Sequence, residues 1–185
     1  MKVVGLAGWS GAGKTTLLTR VLPVLRGRGL SVSTVKHAHH DFDVDQPGKD
    51  SYEHRAAGAT EVLVTSARRW ALMHELRDEA EPQLAALLKR LSPVDLVIVE
   101  GFKQEMHPKV EVHRAACGKP LLHGQIANVR GLVSDASRED WPGPVADLND
   151  EGGAADLLLQ CAAPLAEVLE MLGQTQLSSL PRKVG

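Results

Sequence analysis

The sequence has few of the features that mark secreted, membrane-spanning or nucleic-acid-binding proteins. Only two cysteines occur among its 185 residues, Cys117 and Cys161, and they form no Cys-x-x-Cys pair. Neither a disulfide framework nor a zinc site is therefore predicted. Aromatic residues make up 3%, so we expect an aliphatic core, and the formal net charge of −2 gives no electrostatic reason to expect nucleic acid as a partner.

Long hydrophobic runs are also missing. The apolar start of the chain is too short for a signal peptide, and no stretch approaches the length of a membrane span. Hydrophobic residues at 43% and charged residues at 24% are typical of a soluble globular protein. We therefore expect a cytoplasmic protein that has neither a membrane nor a nucleic acid as its partner.

The most informative segment is Gly8-Trp9-Ser10-Gly11-Ala12-Gly13-Lys14-Thr15, which matches the phosphate-binding pattern G-x-x-x-x-G-K-[ST]. It follows an apolar, strand-like run and opens a helical pattern. Backbone N–H groups of such a loop, together with the helix N-terminus, hold a phosphate anion. The residues expected to bind the nucleotide are Ser10, Gly11, Ala12, Gly13, Lys14, Thr15 and Thr16.

Three of these side chains have separate expected roles. Lys14 would reach the β- and γ-phosphates as a point charge, and the Thr15 hydroxyl would be a ligand of Mg²⁺. Thr16, one residue further into the helix, is placed to meet the α-phosphate. The sequence thus predicts a site for a nucleoside triphosphate with Mg²⁺.

Alternating strand and helix patterns follow the phosphate loop. They predict an α/β fold of the P-loop NTPase class, with a doubly wound, mostly parallel sheet and helices on both faces. The continuous apolar run Leu96–Val99 is typical of a strand buried on both faces. We expect one nucleotide-binding domain over residues 1–173 and a weakly ordered tail over residues 174–185.

Two further segments follow predicted strands, and ligands of such sheets bind beyond the carboxyl ends of the strands. Glu100 ends a strand that resembles a Walker B strand, and its carboxylate could hold Mg²⁺ or polarise an attacking water. In the polar segment Lys36–Asp50 we expect an aspartate for Mg²⁺ and Lys49 for a phosphate. A strand-end cap at Glu100 and a plain solvated loop over 36–50 remain alternatives.

Asp135 is a candidate for recognition of the base. It follows the predicted strand Val129–Val133, and a carboxylate at that strand end could accept hydrogen bonds from N1–H and N2–H₂ of guanine. Adenine offers no such pair of donors. The chain has no Asn-Lys-x-Asp guanine motif, so the residue chemistry alone leaves the base undecided.

Taken together, these segments resemble the MobB-type accessory proteins of molybdopterin-guanine dinucleotide biosynthesis. The phosphate loop alone is common to many families, but its combination with the other matching segments is specific. The resemblance extends to about residue 172 and rests on the loop and on Lys36-His37 through His40-Asp41, Asp43–Tyr52, Arg69–Met73, Val99–Lys103, Val133–Asp135 and Asp147–Asp150.

The resemblance implies a dimeric P-loop protein that binds GTP with Mg²⁺ and hydrolyses it weakly at most. Such a protein assists the guanylyltransferase that joins GMP to molybdopterin. Carried over by position, Gly11–Thr16 would hold the phosphates and Asp135 would recognise the base. Asp45 and Glu100 would lie at the Mg²⁺ ion. Lys14 and Glu100 are the candidate catalytic residues, and slow turnover is expected because no motif places a catalytic glutamine or an arginine finger.

Two other functions remain open from the sequence. A small-molecule kinase also uses a phosphate loop but needs an arginine-bearing lid, and the region Met106–Asn128 carries only Arg114 and has the pattern of a strand and a loop. A GTP-gated metal chaperone would use the cluster His37–His40, although its spacing matches no strong zinc pattern.

Overall fold

The computed structural model describes residues 1–38, 42–137 and 139–179, with residues 175–179 described by their backbone alone. The chain divides into two compact units. The first comprises Met1–His37 and Leu84–Gly185, and the second comprises Ala38–Gln83. Among the described residues, no helix is both long enough and apolar enough to cross a lipid bilayer.

Strands and helices alternate over residues 2–56, as the sequence predicts, whereas four strands follow one another without an α-helix over the described part of residues 96–147. The elements are β1 (Lys2–Ala7), α1 (Lys14–Gly27), β2 (Val32–Lys36), α2 (Asp50–Ala56), β3 (Glu61–Thr65), β4 (Trp70–His74), α3 (Leu84–Arg90), β5 (Leu96–Glu100), β6 (Lys109–His113), β7 (Val129–Ser134), β8 (Val145–Asp147), α4 (Glu151–Cys161), β9 (Ala163–Pro164) and α5 (Leu165–Ser179).

The first unit contains a sheet in the order β2-β5-β1-β6-β7-β8, and all the pairs on this path are parallel. The short strand β9 pairs antiparallel with the first residues of β1. Because the strands are parallel, their carboxyl ends lie along one edge of the sheet. The phosphate loop follows β1, so it lies near the middle of that edge, between β5 and β6. The predicted mostly parallel, P-loop NTPase-like fold is confirmed.

Each face of this sheet packs against a pair of helices. On one face, Val4 and Ile98 join a cluster that includes Leu17 of α1 and Leu158 of α4. Alternate residues of the same strands point to the other face, where Val97 joins a cluster of residues from α3 and α5. Burial of each such aliphatic side chain contributes about 1.5–3 kcal/mol, and the two layers fix the sheet edge that carries the phosphate loop.

The last two helices are separated at Pro164, which lies in β9 and, lacking an N–H group, would not continue α4. The backbone of α5 is helical to Ser179, and residues 180–185 lie outside the described residues. The weakly ordered tail from residue 174 stays a prediction.

The second unit contains helix α2 and the antiparallel pair β3–β4, which forms its own two-stranded sheet. Val62 of β3 is buried and pairs with Met73 of β4. On the neighbouring register position, Leu63 pairs with Leu72, and these side chains are 60% and 49% exposed. One face of the hairpin thus buries Val62, while the other presents Leu63 and Leu72 to solvent.

Candidate nucleotide-binding site

The phosphate loop joins the carboxyl end of β1 to the first turn of α1. Gly13 precedes the helix with φ of 91°, a left-handed conformation that favours glycine, and no side chain caps the first turn. The loop is closed by a hydrogen bond of 3.2 Å that Ala12 N donates to Trp9 O. The first N–H groups of α1 therefore have no side-chain acceptor of their own, the arrangement that binds an anion at a helix N-terminus.

Lys14 lies across this loop. Its ammonium donates to the carbonyl oxygens of Gly8 at 3.0 Å and Trp9 at 3.1 Å, which leaves a third proton for another acceptor. Partial burial, followed by repulsion from Lys103 and Lys36, lowers the pKa of Lys14, while Glu100 acts in the opposite direction. Positive charge therefore converges at the loop, and a bound phosphate would neutralise it.

Glu100 lies beside the loop because β5 is the direct neighbour of β1. The strand register aligns Glu100 with Leu6 on one side and with Lys36 of β2 on the other. The Thr15 hydroxyl donates to Glu100 Oε1 over 3.4 Å. Neighbouring ligands of a Mg²⁺ ion stand about 3 Å apart, since Mg²⁺–oxygen distances are about 2.1 Å in octahedral geometry. This hydroxyl and carboxylate therefore fit the ion that the sequence predicts.

The segment after Glu100 is fixed by close packing. A Cβ on Gly101, which has φ of 100°, would lie 2.6 Å from Cβ of His37. The rings of His37 and Phe102 have centroids 4.9 Å apart. Phe102 itself has φ of 50°, which is uncommon for a bulky residue. The chain thus turns sharply directly after the carboxylate, and the packing holds Glu100 at the end of its strand.

Trp9 adds a feature that we did not predict. Its indole N–H donates to Pro120 O at 2.8 Å, which ties the phosphate loop to the segment after β6. The ammonium groups of Lys103 and Lys119 each lie 6.0 Å from the centre of the indole ring. Cation–π attraction at this distance is weak but favourable, and it keeps two further positive charges beside the loop.

The carboxyl end of β6 lies on the other side of the loop and brings Arg114 to it. A Cβ on Gly13 would lie 3.2 Å from Nη2 of Arg114. Asp135, at the end of β7, accepts a hydrogen bond of 2.8 Å from Ala115 N. Asp135 thus supports the turn that carries Arg114, and its carboxylate keeps further acceptor capacity. Its role at a base stays a prediction.

The segment that the kinase alternative treated as a lid is held by buried polar groups. The Lys109 ammonium donates to the backbone carbonyls of Glu105, His107 and Ala127. The Glu111 carboxylate accepts from Leu122 N at 2.7 Å and His123 N at 3.0 Å. These buried contacts hold β6 and the loop after it in place. A mobile lid would not be anchored in this way.

The other predicted ligands belong to the second unit. Asp45 Oδ1 accepts from Gln46 N at 2.9 Å and Ser51 Oγ at 3.0 Å, and its Oδ2 lies 3.7 Å from Arg55 Nε. Lys49 is exposed and precedes α2. A Mg²⁺ role for Asp45 and a phosphate role for Lys49 stay predictions.

The histidine cluster of the metal-chaperone alternative is described only in part. His37 packs on Phe102, while His39 and His40 lie outside the described residues. Within the ranges that the structure covers, no three His, Cys, Asp or Glu side chains gather where they could hold a metal ion.

Sequence reasoning missed Arg114, Lys103 and Lys119 as residues of the site. One signal for Arg114 was available, because it lies two residues beyond the strand-like run Val110-Glu111-Val112 and the carboxyl ends of all parallel strands share one edge. Lys103 carried a similar signal, because it belongs to the segment that follows the predicted strand ending at Glu100, whereas Lys119 carried none, because its place depends on the packing of Trp9.

The family model described as molybdopterin guanine dinucleotide synthesis protein B, MobB, matches residues 3–135. The chain belongs to the MobB family. The matched range contains every residue of the site described above, from the phosphate loop to Asp135.

Similar proteins include two curated MobB relatives. The molybdopterin-guanine dinucleotide biosynthesis adapter protein of Escherichia coli (strain K12) is 44% identical over 163 residues, which cover 85% of this chain and 91% of that protein. The protein of the same name from Haemophilus influenzae is 43% identical over 119 residues, covering 64% of this chain and 67% of that protein.

Solved MobB structures have the same fold. A crystal structure of molybdopterin-guanine biosynthesis protein B is 28% identical with a TM-score of 0.68, covering 85% of this chain and 97% of that one. The crystal structure of Bacillus subtilis MobB is 25% identical with a TM-score of 0.69, covering 88% of this chain and 99% of that one.

Proposed function

We propose that this protein is a GTP-binding accessory protein of molybdopterin guanine dinucleotide biosynthesis, which assists the guanylyltransferase and has at most weak Mg²⁺-dependent GTPase activity. One observation carries the proposal: a complete phosphate loop with Thr15 and Glu100 in contact, in a chain that belongs to the MobB family. The adapter role in the names of the relatives supports the accessory part of the proposal over a small-molecule kinase.

In this proposal the N–H groups of the loop and Lys14 hold the phosphates, while Thr15 and Glu100 hold Mg²⁺. The ion would neutralise negative charge on the outer phosphates and orient them. Asp45 would be a further ligand of the ion and Lys49 a further phosphate contact. Asp135 would accept hydrogen bonds from guanine. Slow hydrolysis is expected because the sequence has no motif that places a catalytic glutamine or an arginine finger at the γ-phosphate.

A titration with GTP and ATP in the presence of Mg²⁺ tests the nucleotide assignment. We expect the parent protein to bind GTP more tightly, and Lys14→Ala to lose most of the affinity because a charge-assisted contact to phosphate is removed. Lys2→Ala, at the exposed amino end of β1, is the matched control and should bind as the parent does. Failure of the parent to bind either nucleotide would overturn the proposal.

Two further variants separate the roles of the two carboxylates. In the same titration Glu100→Gln should bind nucleotide largely as the parent does, but in a GTPase assay its Mg²⁺-dependent turnover should be lower. Turnover at the parent rate would make Glu100 a strand-end cap. Asp135→Asn should reduce the preference for GTP over ATP while keeping the acceptor for Ala115 N. Equal affinity of the parent for GTP and ATP would remove Asp135 from the base site.

We also propose that the protein acts as a homodimer, as the family resemblance implies. The support within this chain is the hairpin β3–β4, whose exposed pair Leu63 and Leu72 lies near Trp70, itself 67% exposed. A two-stranded sheet is marginal in water unless more of its surface is covered. Sedimentation should show a dimer that Leu63→Asp with Leu72→Asp weakens, whereas a monomeric parent would contradict the proposal.

A further inference from the structure

Arg114 is a cation that the sequence-based functions leave without a role. It lies one residue beyond the carboxyl end of β6, and its Nη2 is 3.2 Å from the position of a Cβ on Gly13. Among the residues that the structure describes, no hydrogen bond or ion pair engages its guanidinium. An unpaired guanidinium beside an uncapped helix N-terminus adds a second source of positive potential at one point.

The turn that carries Arg114 is held at both ends by carboxylates. Asp135 accepts from Ala115 N at 2.8 Å, directly after the arginine. Glu111 accepts from Leu122 N at 2.7 Å, at the far end of the same loop. The backbone at Arg114 is therefore fixed before any ligand binds, which lowers the entropy cost of using its side chain.

The position of Arg114 in the sheet indicates which phosphate it would meet. Thr15 and Glu100, which fit the Mg²⁺ ion of the outer phosphates, lie on the β5 side of β1. Arg114 lies on the opposite side, at β6, and Asp135 is one strand further away, at β7. Consider a nucleotide bound along this edge with its Mg²⁺ ion at Glu100 and its base at Asp135. Its α- and β-phosphates then lie between these two ends, next to Arg114.

We infer that Arg114 is a phosphate-binding residue of the nucleotide site, which holds the α- or β-phosphate by charge-assisted hydrogen bonds and does not act at the γ-phosphate. The inference rests on the proposed function, because it requires the loop to bind a nucleotide. It is also consistent with slow hydrolysis, since an arginine at the inner phosphates stabilises bound GDP, bound GTP and the transition state alike and so does not lower the barrier.

The test compares GTP and GDP affinities, with Mg²⁺, for the full-length parent, Arg114→Ala and Arg114→Lys. We expect Arg114→Ala to weaken both nucleotides about tenfold to a hundredfold, with the ratio of the two affinities unchanged. Arg114→Lys should fall between Arg114→Ala and the parent, because it keeps the charge but loses the planar fork. Arg130→Ala, on β7 at the amino-terminal edge of the sheet, is the matched control and should change neither affinity.

Two results would overturn the inference. Unchanged affinities for Arg114→Ala would show that the side chain does not meet the nucleotide. Loss of turnover or of GTP binding alone, with GDP affinity unchanged, would move Arg114 to the γ-phosphate. If the parent binds guanine nucleotides and Lys14→Ala does not, either of these two results contradicts the role of Arg114 but leaves the proposed function intact. A parent that binds no guanine nucleotide would contradict both the role of Arg114 and the proposed function.

Cys117 gives a second readout that needs no substitution. Its thiol lies 3.7 Å from the position of a Cβ on Gly11, in the same turn as Arg114, while Cys161 is buried and is an internal control. GDP should slow alkylation of Cys117 and leave Cys161 unchanged. Alkylation of Cys117 at the same rate with saturating GDP would contradict the placement of this turn at the inner phosphates.

Discussion

The strands β5 and β6 flank β1 on opposite sides and are both buried, yet they are built from different residues. β5 is Leu96–Glu100, apolar until its final carboxylate, whereas β6 is Lys109–His113 and alternates polar and apolar side chains. Every residue of β6 is nevertheless buried. An alternating pattern ordinarily indicates a strand with one face in solvent.

The difference shows two ways of placing a charged residue at the same sheet edge. Apolar packing on both faces fixes β5, so that Glu100 emerges where the packing ends. In β6 the polar face is covered by the chain after it, and Lys109 and Glu111 bond to backbone groups of that chain. The polar side chains of β6 thus stabilise the loop that carries Arg114, because buried polar groups are costly unless they are paired.

The largest expected effect on stability comes from Glu111→Gln on β6, which is compared with the same kind of substitution, Glu100→Gln, on β5. Glu111→Gln replaces a carboxylate oxygen with an amide N–H₂ opposite the N–H of Leu122 or His123, so we expect a loss of about 3 kcal/mol in the free energy of unfolding. Glu100→Gln, at a partly exposed strand end, should lose less than about 0.5 kcal/mol. Urea denaturation measures both, and equal losses would remove the distinction between the strands.

A methyl group added to β1 tests how tightly the β6 side is packed. A Cβ on Gly5 would lie 2.4 Å from Nε2 of His107 and 3.1 Å from Cγ of Lys109, both buried. We expect Gly5→Ala to lower the free energy of unfolding by about 2 kcal/mol through overpacking. Gly173→Ala in α5 is the control, since nothing lies within 4 Å of its Cβ. A neutral Gly5→Ala would show that the β6 side can relax.

The smallest effect depends on pH and comes from His107. Burial, followed by repulsion from Lys109, lowers the pKa of His107 to about 3, and neither ring nitrogen has a hydrogen-bond partner among the described residues. Below pH 6.5 the unfolded chain takes up a proton that the folded protein does not, so the stability contributed by neutral His107 is lost as pH falls from 6.5 towards 3.

Between pH 7 and pH 5.5 this uptake should lower the free energy of unfolding by about 1 kcal/mol. His107→Leu should lack that part of the pH dependence, and the difference between the two proteins in urea denaturation at both pH values measures it. A parent and variant with parallel pH dependence would show that His107 is protonated in the folded protein as well.

Local patterns were sufficient for much of the fold. The strands predicted to end at Glu100 and to span Val129–Val133 agree with β5 and β7 to within one residue, and the alternation of strand and helix patterns predicted the parallel sheet. The pattern did not predict that β3 and β4 form a separate sheet in a second unit. A strand pattern records which side chains alternate, but it carries no information about which strand will be the partner.

Local residue patterns were enough to predict the phosphate loop and Glu100, because each lies in a contiguous segment whose residue types follow from one local task. Their surroundings depend on contacts between distant parts of the chain. Arg114 comes to Gly13, and the two lysines come to Trp9, through contacts between residues about a hundred positions apart. Such contacts depend on strand order and on buried hydrogen bonds, neither of which leaves a periodic signal in the chain.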